Sequence, residues 1–259
     1  MIRSVLWTLS RLLLLISFLG IARTGKAADT DAAVSLAQVR AAADRRDSAE
    51  VLKLCGRLLD GDSKTPEAYY WRGREQLRAG RAAVSVADFD AFLAATPGAR
   101  SRLWERGIAC YYAGKFADGA EQFAAYQTYD DNDVENAVWH VICQSRVSGF
   151  EDAQRKLMKV RRDGRVPMME IFDMFAGQLT PEEVLRAAED AAGEADEKKY
   201  HRFYAHLYIG LYYEARGDEA AARKHLTEAA EKYANDHYMW DVANMHARRW
   251  KQPAPGTSP

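Results

Sequence analysis

Apolar positions along this chain recur at helical spacing and do not alternate. Leu36, Val39 and Ala43, then Val51, Leu54, Cys55 and Leu58, follow the i, i+3, i+4, i+7 pattern that turns one face of a helix toward a core. The same spacing sets Tyr204, Leu207, Tyr208, Leu211 and Tyr212 along one helix and Ala222, Leu226, Ala229 and Ala230 along its partner. No stretch combines β-branched alternation with closely spaced turn pairs, so strands are not expected. Glycines punctuate the helical segments at a fixed interval. Gly73, Gly80 and Phe89 return 34 residues later as Gly107, Gly114 and Phe123. A third set, Gly210, Gly217 and Leu226, stands 103 residues after the second, three periods plus one.

Each position has a physical job. The first glycine lets two helices approach closely, and the second sits in a turn that needs positive φ. The aromatics Phe89 and Phe92, and Phe123 and Tyr126, are expected to fill the gap against the next unit. The pattern predicts hairpin units over 31–62, 66–99, 100–132, 133–162 and 203–235, the fourth decayed, with Val141 in the glycine position. Residues 167–199 break the period with irregular helices. Pro167 opens a short helix closed by Gly177, and Thr180-Pro181-Glu182-Glu183 starts another over 181–192 through a capping box. Glu194 to Lys199 reads as a solvated connection. Asp133, Asp218 and Asp236 are expected N-caps. A last helix over 236–250 is expected to close the stack as a solvated cap, because Arg248, Arg249 and Lys251 end it, and the Pro-rich tail 252–259 is expected to be disordered.

These 34-residue units resemble the tetratricopeptide-repeat (TPR) family. The resemblance implies an all-α fold: a TPR-like right-handed α-solenoid of helix hairpins with a C-terminal capping helix and a concave binding wall. From Trp139 to Trp250 the order is narrower: a decayed repeat, the Phe172 to Pro181 helix junction, a sharp repeat from Tyr208 to Asp218, and a closing helix. That order is similar to NlpI-type cell-envelope TPR proteins. It implies an adaptor that docks murein hydrolases and a periplasmic protease, usually as a dimer. Members of that group are lipoproteins, and this chain has no Cys near its leader.

The leader itself is legible. Arg3 and Arg11 precede an apolar run from Leu12 to Ala22, 11 residues long, where a bilayer-spanning helix needs about 20. It fits a secretory signal peptide over residues 1–27, cut after Ala27, with membrane contact only if it stays uncleaved. Removing it takes away Arg3, Arg11, Arg23 and Lys26 and no acid, so the net charge falls from −1 to −5. The expected location is therefore secreted or periplasmic. Such a balance offers no basic footprint for nucleic acid. Cys55, Cys110 and Cys143 make no disulfide framework; Cys110 and Cys143, 33 residues apart, either approach across adjacent units or serve as small buried apolar residues.

Catalytic signatures are missing. There is no phosphate loop, no Gly-x-Ser-x-Gly elbow and no His-Glu-x-x-His. No two of the six histidines are spaced i, i+3 or i, i+4, so neither metal nor cofactor is expected. Asp130-Asp131-Asn132-Asp133 lacks the glycine of a calcium loop and reads as a turn and helix cap. The informative constellation is the inner face of the first helices: Tyr70, Arg74 and Arg78, then Trp104, Tyr111 and Tyr112, then Arg146. Arginine and aromatics on one wall are the chemistry of binding hot spots, though the same residues serve equally to pack a neighbouring helix. The expectation is a non-catalytic scaffold for a protein or peptide, with a self-associating homodimer as the alternative.

Overall fold

The computed structural model describes residues 34–61 and 65–251, and the predicted leader (1–27) and tail (252–259) lie outside them. Among the described residues all regular structure is helical, with no strand. Thirteen α-helices follow in order: α1 (Leu36–Asp44), α2 (Ser48–Asp60), α3 (Pro66–Arg78), α4 (Ala82–Ala95), α5 (Trp104–Tyr112), α6 (Phe116–Tyr126), α7 (Val134–Ser148), α8 (Phe150–Arg155), α9 (Met168–Phe175), α10 (Pro181–Asp190), α11 (Ala195–Arg216), α12 (Glu219–Lys232) and α13 (Tyr238–Arg249). A 3-10 segment, Pro97–Arg102, links α4 to α5. Helices adjacent in sequence pack in pairs: α1 with α2, α3 with α4, α5 with α6, α7 with α8, α11 with α12.

The glycine-to-apolar phase is a contact inside each hairpin. A Cβ on Gly73 would lie 3.0 Å from the Phe89 ring, one on Gly107 2.6 Å from Phe123, and one on Gly210 2.5 Å from Leu226. The expectation that the aromatics fill the gap against the next unit is thereby amended for Phe89 and Phe123, each of which closes its own hairpin. Phe123 serves both, since it also stacks on Trp139 of α7 at 6.1 Å. Polar bonds add to the α3–α4 pair. Ser85 donates to the Gly73 carbonyl at 2.7 Å, and Arg72 holds the buried Asp88 in a two-pronged pair at 2.6 and 2.9 Å. The turns behave as their glycines demand, with φ of 79° at Gly80, 75° at Gly114 and 85° at Gly217.

Caps start several helices as expected. Asp133 accepts from the Glu135 amide, Asp218 from that of Ala221, and Thr180 with Glu183 forms the reciprocal box. Three expectations change. Glu194 to Lys199 is no connection: helix α11 begins at Ala195, because the Glu197 carboxylate accepts from the Glu194 amide and starts it early. His237, not Asp236, caps α13; Asp236 instead accepts from the Tyr200 hydroxyl at 2.8 Å. Nor is α13 a solvated cap. Besides α12 it packs against α3, and Tyr238, Met239, Val242, Ala243, Met245 and Ala247 are all buried. At roughly 1.5–3 kcal/mol per buried large apolar side chain, that anchoring makes α13 a fixed part of the core. The charged end that signalled solvent, Arg248 and Arg249, is exposed as read, but only at its last turn.

Candidate functional site

Helix α3 repeats a polar residue every four positions: Tyr70, Arg74, Arg78. Period four keeps them on one stripe, and α13 lies across it. Arg78 donates through one nitrogen to both oxygens of the buried Glu75, at 2.6 and 2.7 Å, and through the other to Asp241 at 2.8 Å. Arg46, in the turn between α1 and α2, donates to the second oxygen of Asp241 and, at 2.9 Å, to the Asp236 carbonyl. Asp241 is 5% exposed, so two cations compensate a carboxylate that burial alone would penalise.

Arg74 is held differently. The Tyr238 ring lies 4.5 Å from its guanidinium, with Trp71 at 5.5 Å and Tyr70 at 5.7 Å. It donates to the Tyr70 hydroxyl at 3.2 Å, and that hydroxyl donates on to Glu105 at 2.8 Å. Burial pushes the Glu105 carboxyl above its ordinary value, against the opposing pull of Arg74 and Tyr70. Trp104 packs edge-on against Tyr238 at 5.3 Å. Further along α13 the Tyr112 hydroxyl meets His246 Nδ1 at 2.8 Å, while Arg249 lies over the Tyr112 ring.

Arg74, Arg78, Trp104 and Tyr112 thus converge on one element, the chain's own α13, and Tyr70 joins them through Arg74. Tyr111 is buried against Trp139 and Phe116, at 5.6 and 5.5 Å, and Arg146 lies over Phe116 in that second cluster. What stays open flanks α13. One cavity of about 280 Å³ is lined by Ala43, Arg46, Trp71, Arg74, Arg78 and Tyr238. Another of about 370 Å³ lies across the Arg46–Asp241–Arg78 bridge, beside Ser48, Trp240 and Arg248. A third, about 280 Å³, is bordered by Gly80, Tyr112, Arg248 and Arg249.

No protein-family model matches the chain. Among the described residues no group of three His, Cys, Asp or Glu side chains is placed to hold a metal, and no helix is long and apolar enough to cross a membrane. The three cysteines are free and buried. Burial pushes the Cys110 thiol up to about 11 and raises the Cys143 thiol well above its ordinary value, which keeps both as protonated packing groups.

Sequence reasoning missed Arg46, Trp71, Glu75, Glu105, Tyr238 and Asp241. Only Arg46 left a signal. It stands 34 residues before Gly80, as Gly80 stands 34 before Gly114, and it too has positive φ, 57°.

Proposed function

We propose that this chain is an exported, non-catalytic helical-repeat adaptor of the TPR type, whose hairpins stack as a right-handed solenoid. It binds a protein or peptide partner at the α1–α3–α13 seam, and envelope hydrolases or a protease are the partners its resemblance to NlpI-type proteins suggests. The observation that carries this reading is the open cavity beside Arg74, lined by three arginines, two large aromatic rings and four carboxylates. Arginine, tryptophan and tyrosine in a partly desolvated pocket are what interfaces use as anchors. The glycine-to-apolar seats repeated in three hairpins support stacked units.

Recognition rather than catalysis is the reading we favour, because a carboxyl and an imidazole group that burial perturbs are sealed away from the cavities. Glu135, whose carboxyl burial pushes up to about 7, is closed off by hydrogen bonds from Tyr208 and Arg165, both at 2.8 Å. His225, brought down to about 4 by burial and by His206, is sandwiched between aromatic rings. Neither lines the cavities beside α13.

Cross-linking in the native envelope tests the reading. The wild-type chain should capture a defined partner. Ala43→Trp, which crowds the cavity whatever the ligand's chemistry, should abolish capture, and a melting curve of the variant checks that it folds. Equal capture by both proteins, or capture of nothing specific, would overturn the adaptor assignment.

A further inference from the structure

Among the described residues, Arg74 is the one arginine lining the cavity beside Trp71 and Tyr238 that makes no ion pair with a carboxylate. A guanidinium carries five N–H donors, and Arg74 places one of them, on Tyr70. Three aromatic faces hold its charge and accept none of the remaining donors. The carboxylates nearby are already engaged: Glu75 by Arg78, Asp241 by Arg78 and Arg46 together. The surface is also strained. Arg46 sits in the left-handed region, which costs a non-glycine residue roughly 1–2 kcal/mol. Strain of this kind gathers at ligand clamps. At the rim, Asp44 and Asp236 are exposed.

We propose that this cleft, read above as the partner site, recognises a peptide carboxylate. The carboxylate docks on the free donors of Arg74 with its neighbouring side chain against the half-buried Trp71. A basic residue of the same peptide faces Asp44 and Asp236. Arginine matches a carboxylate with two parallel hydrogen bonds, which a lysine cannot do. A cavity of about 280 Å³ lies just under the ~300–1,000 Å³ of small-ligand sites, so it takes a chain end or one side chain rather than a length of peptide.

Calorimetric titration of the full chain separates the alternatives. The probes are acetyl-Lys-Phe with a free C-terminal carboxylate, the same peptide amidated, acetyl-Lys-Phe-Glu-amide, and inorganic phosphate. Amidation should weaken acetyl-Lys-Phe roughly 10- to 100-fold, the worth of a hydrogen bond to a charged group. Which carboxylate peptide binds tighter tells a chain terminus from an acidic side chain. Arg74→Gln should lose the same factor and Arg74→Lys part of it. Should Arg74→Gln unfold, the exposed Asp44→Lys serves instead: it should weaken acetyl-Lys-Phe more than acetyl-Ala-Phe. Equal binding of acid and amide, tighter binding of phosphate, or no binding of any probe to the folded chain would overturn the carboxylate assignment. Partner capture that survives all of these and ignores Arg74→Gln would leave the adaptor reading standing without it.

Discussion

Arg78 and Asp241 are 163 residues apart in the chain and 2.8 Å apart in space. With Arg46 on the other oxygen of Asp241, this pair ties the last described helix to the first three. Replacing Asp241 by Ala strands two cations at a partly buried seam. The expected loss is roughly 3 kcal/mol, the lower end of the range for breaking a buried pair, because Arg78 keeps Glu75. A lower urea midpoint and faster protease cleavage near Tyr233 check it; an unchanged midpoint would mean the bridge contributes nothing.

The three hairpin glycines should rank by the room around them. Gly→Ala in a helix gains about 1 kcal/mol of propensity, and overpacking costs roughly 1–3 kcal/mol. At Gly210 the new Cβ meets Leu226 Cγ at 2.5 Å and the Leu226 backbone nitrogen at 3.0 Å, and at Gly107 it meets a buried ring at 2.6 Å. Both should destabilise. At Gly73 the ring is 3.0 Å away and the two effects should nearly cancel. Gly56, inside α2 with nothing within 4 Å, should become more stable as Ala. Thermal melts of the four variants give the order directly.

Two buried groups should pull the pH dependence of stability in opposite directions. Burial and His206 bring His225 from 6.5 to about 4, so its contribution is complete above pH 6.5 and is lost as pH falls through 4. Burial raises Glu135 from 4.5 to about 7, so the folded state is penalised progressively as pH rises from 4.5 to 7. His225→Phe, which keeps a ring between Tyr213 and His206, should leave stability falling with pH across that window. Glu135→Gln should leave it rising. Urea unfolding at pH 4.5, 5.5, 6.5 and 7.5 resolves the two slopes, and parallel curves would refute both assignments.

Arg46→Gly should have two measurable effects of opposite sign. The turn loses roughly 1–2 kcal/mol of left-handed strain, while α13 loses its clasp on Asp241 and on the Asp236 carbonyl. Hydrogen exchange should therefore slow at the α1–α2 turn and quicken along α13. Slower exchange at both places would show that the clasp holds nothing.

Much of the helical order was legible because it is local. Glycine and apolar spacing, the positive-φ turns, and the Asp133, Thr180 and Asp218 caps are each decided within about one repeat. The candidate residues on α3 and α5 were legible as a stripe, since period four fixes which side chains share a face. What covers that stripe was not. Tyr238 and Asp241 approach Arg74 and Arg78 only through tertiary return, and no spacing along the chain encodes a contact that distant. Arg248 and Arg249 misled for the same reason: charge at the end of a helix says that its last turn is wet, and nothing about the faces before it. The early start of α11 turned on Glu197 capping its own helix, which a run of charged residues conceals.

The return of α13 to α3 also sets an order of events. During synthesis the first half of the molecule emerges with Arg78, Trp104 and Tyr112 lacking the surface that finishes them, and it waits through more than a hundred residues for the helix that supplies it. Folding cannot be completed from the front. A chain shortened by its final helix would damage not its end but its beginning.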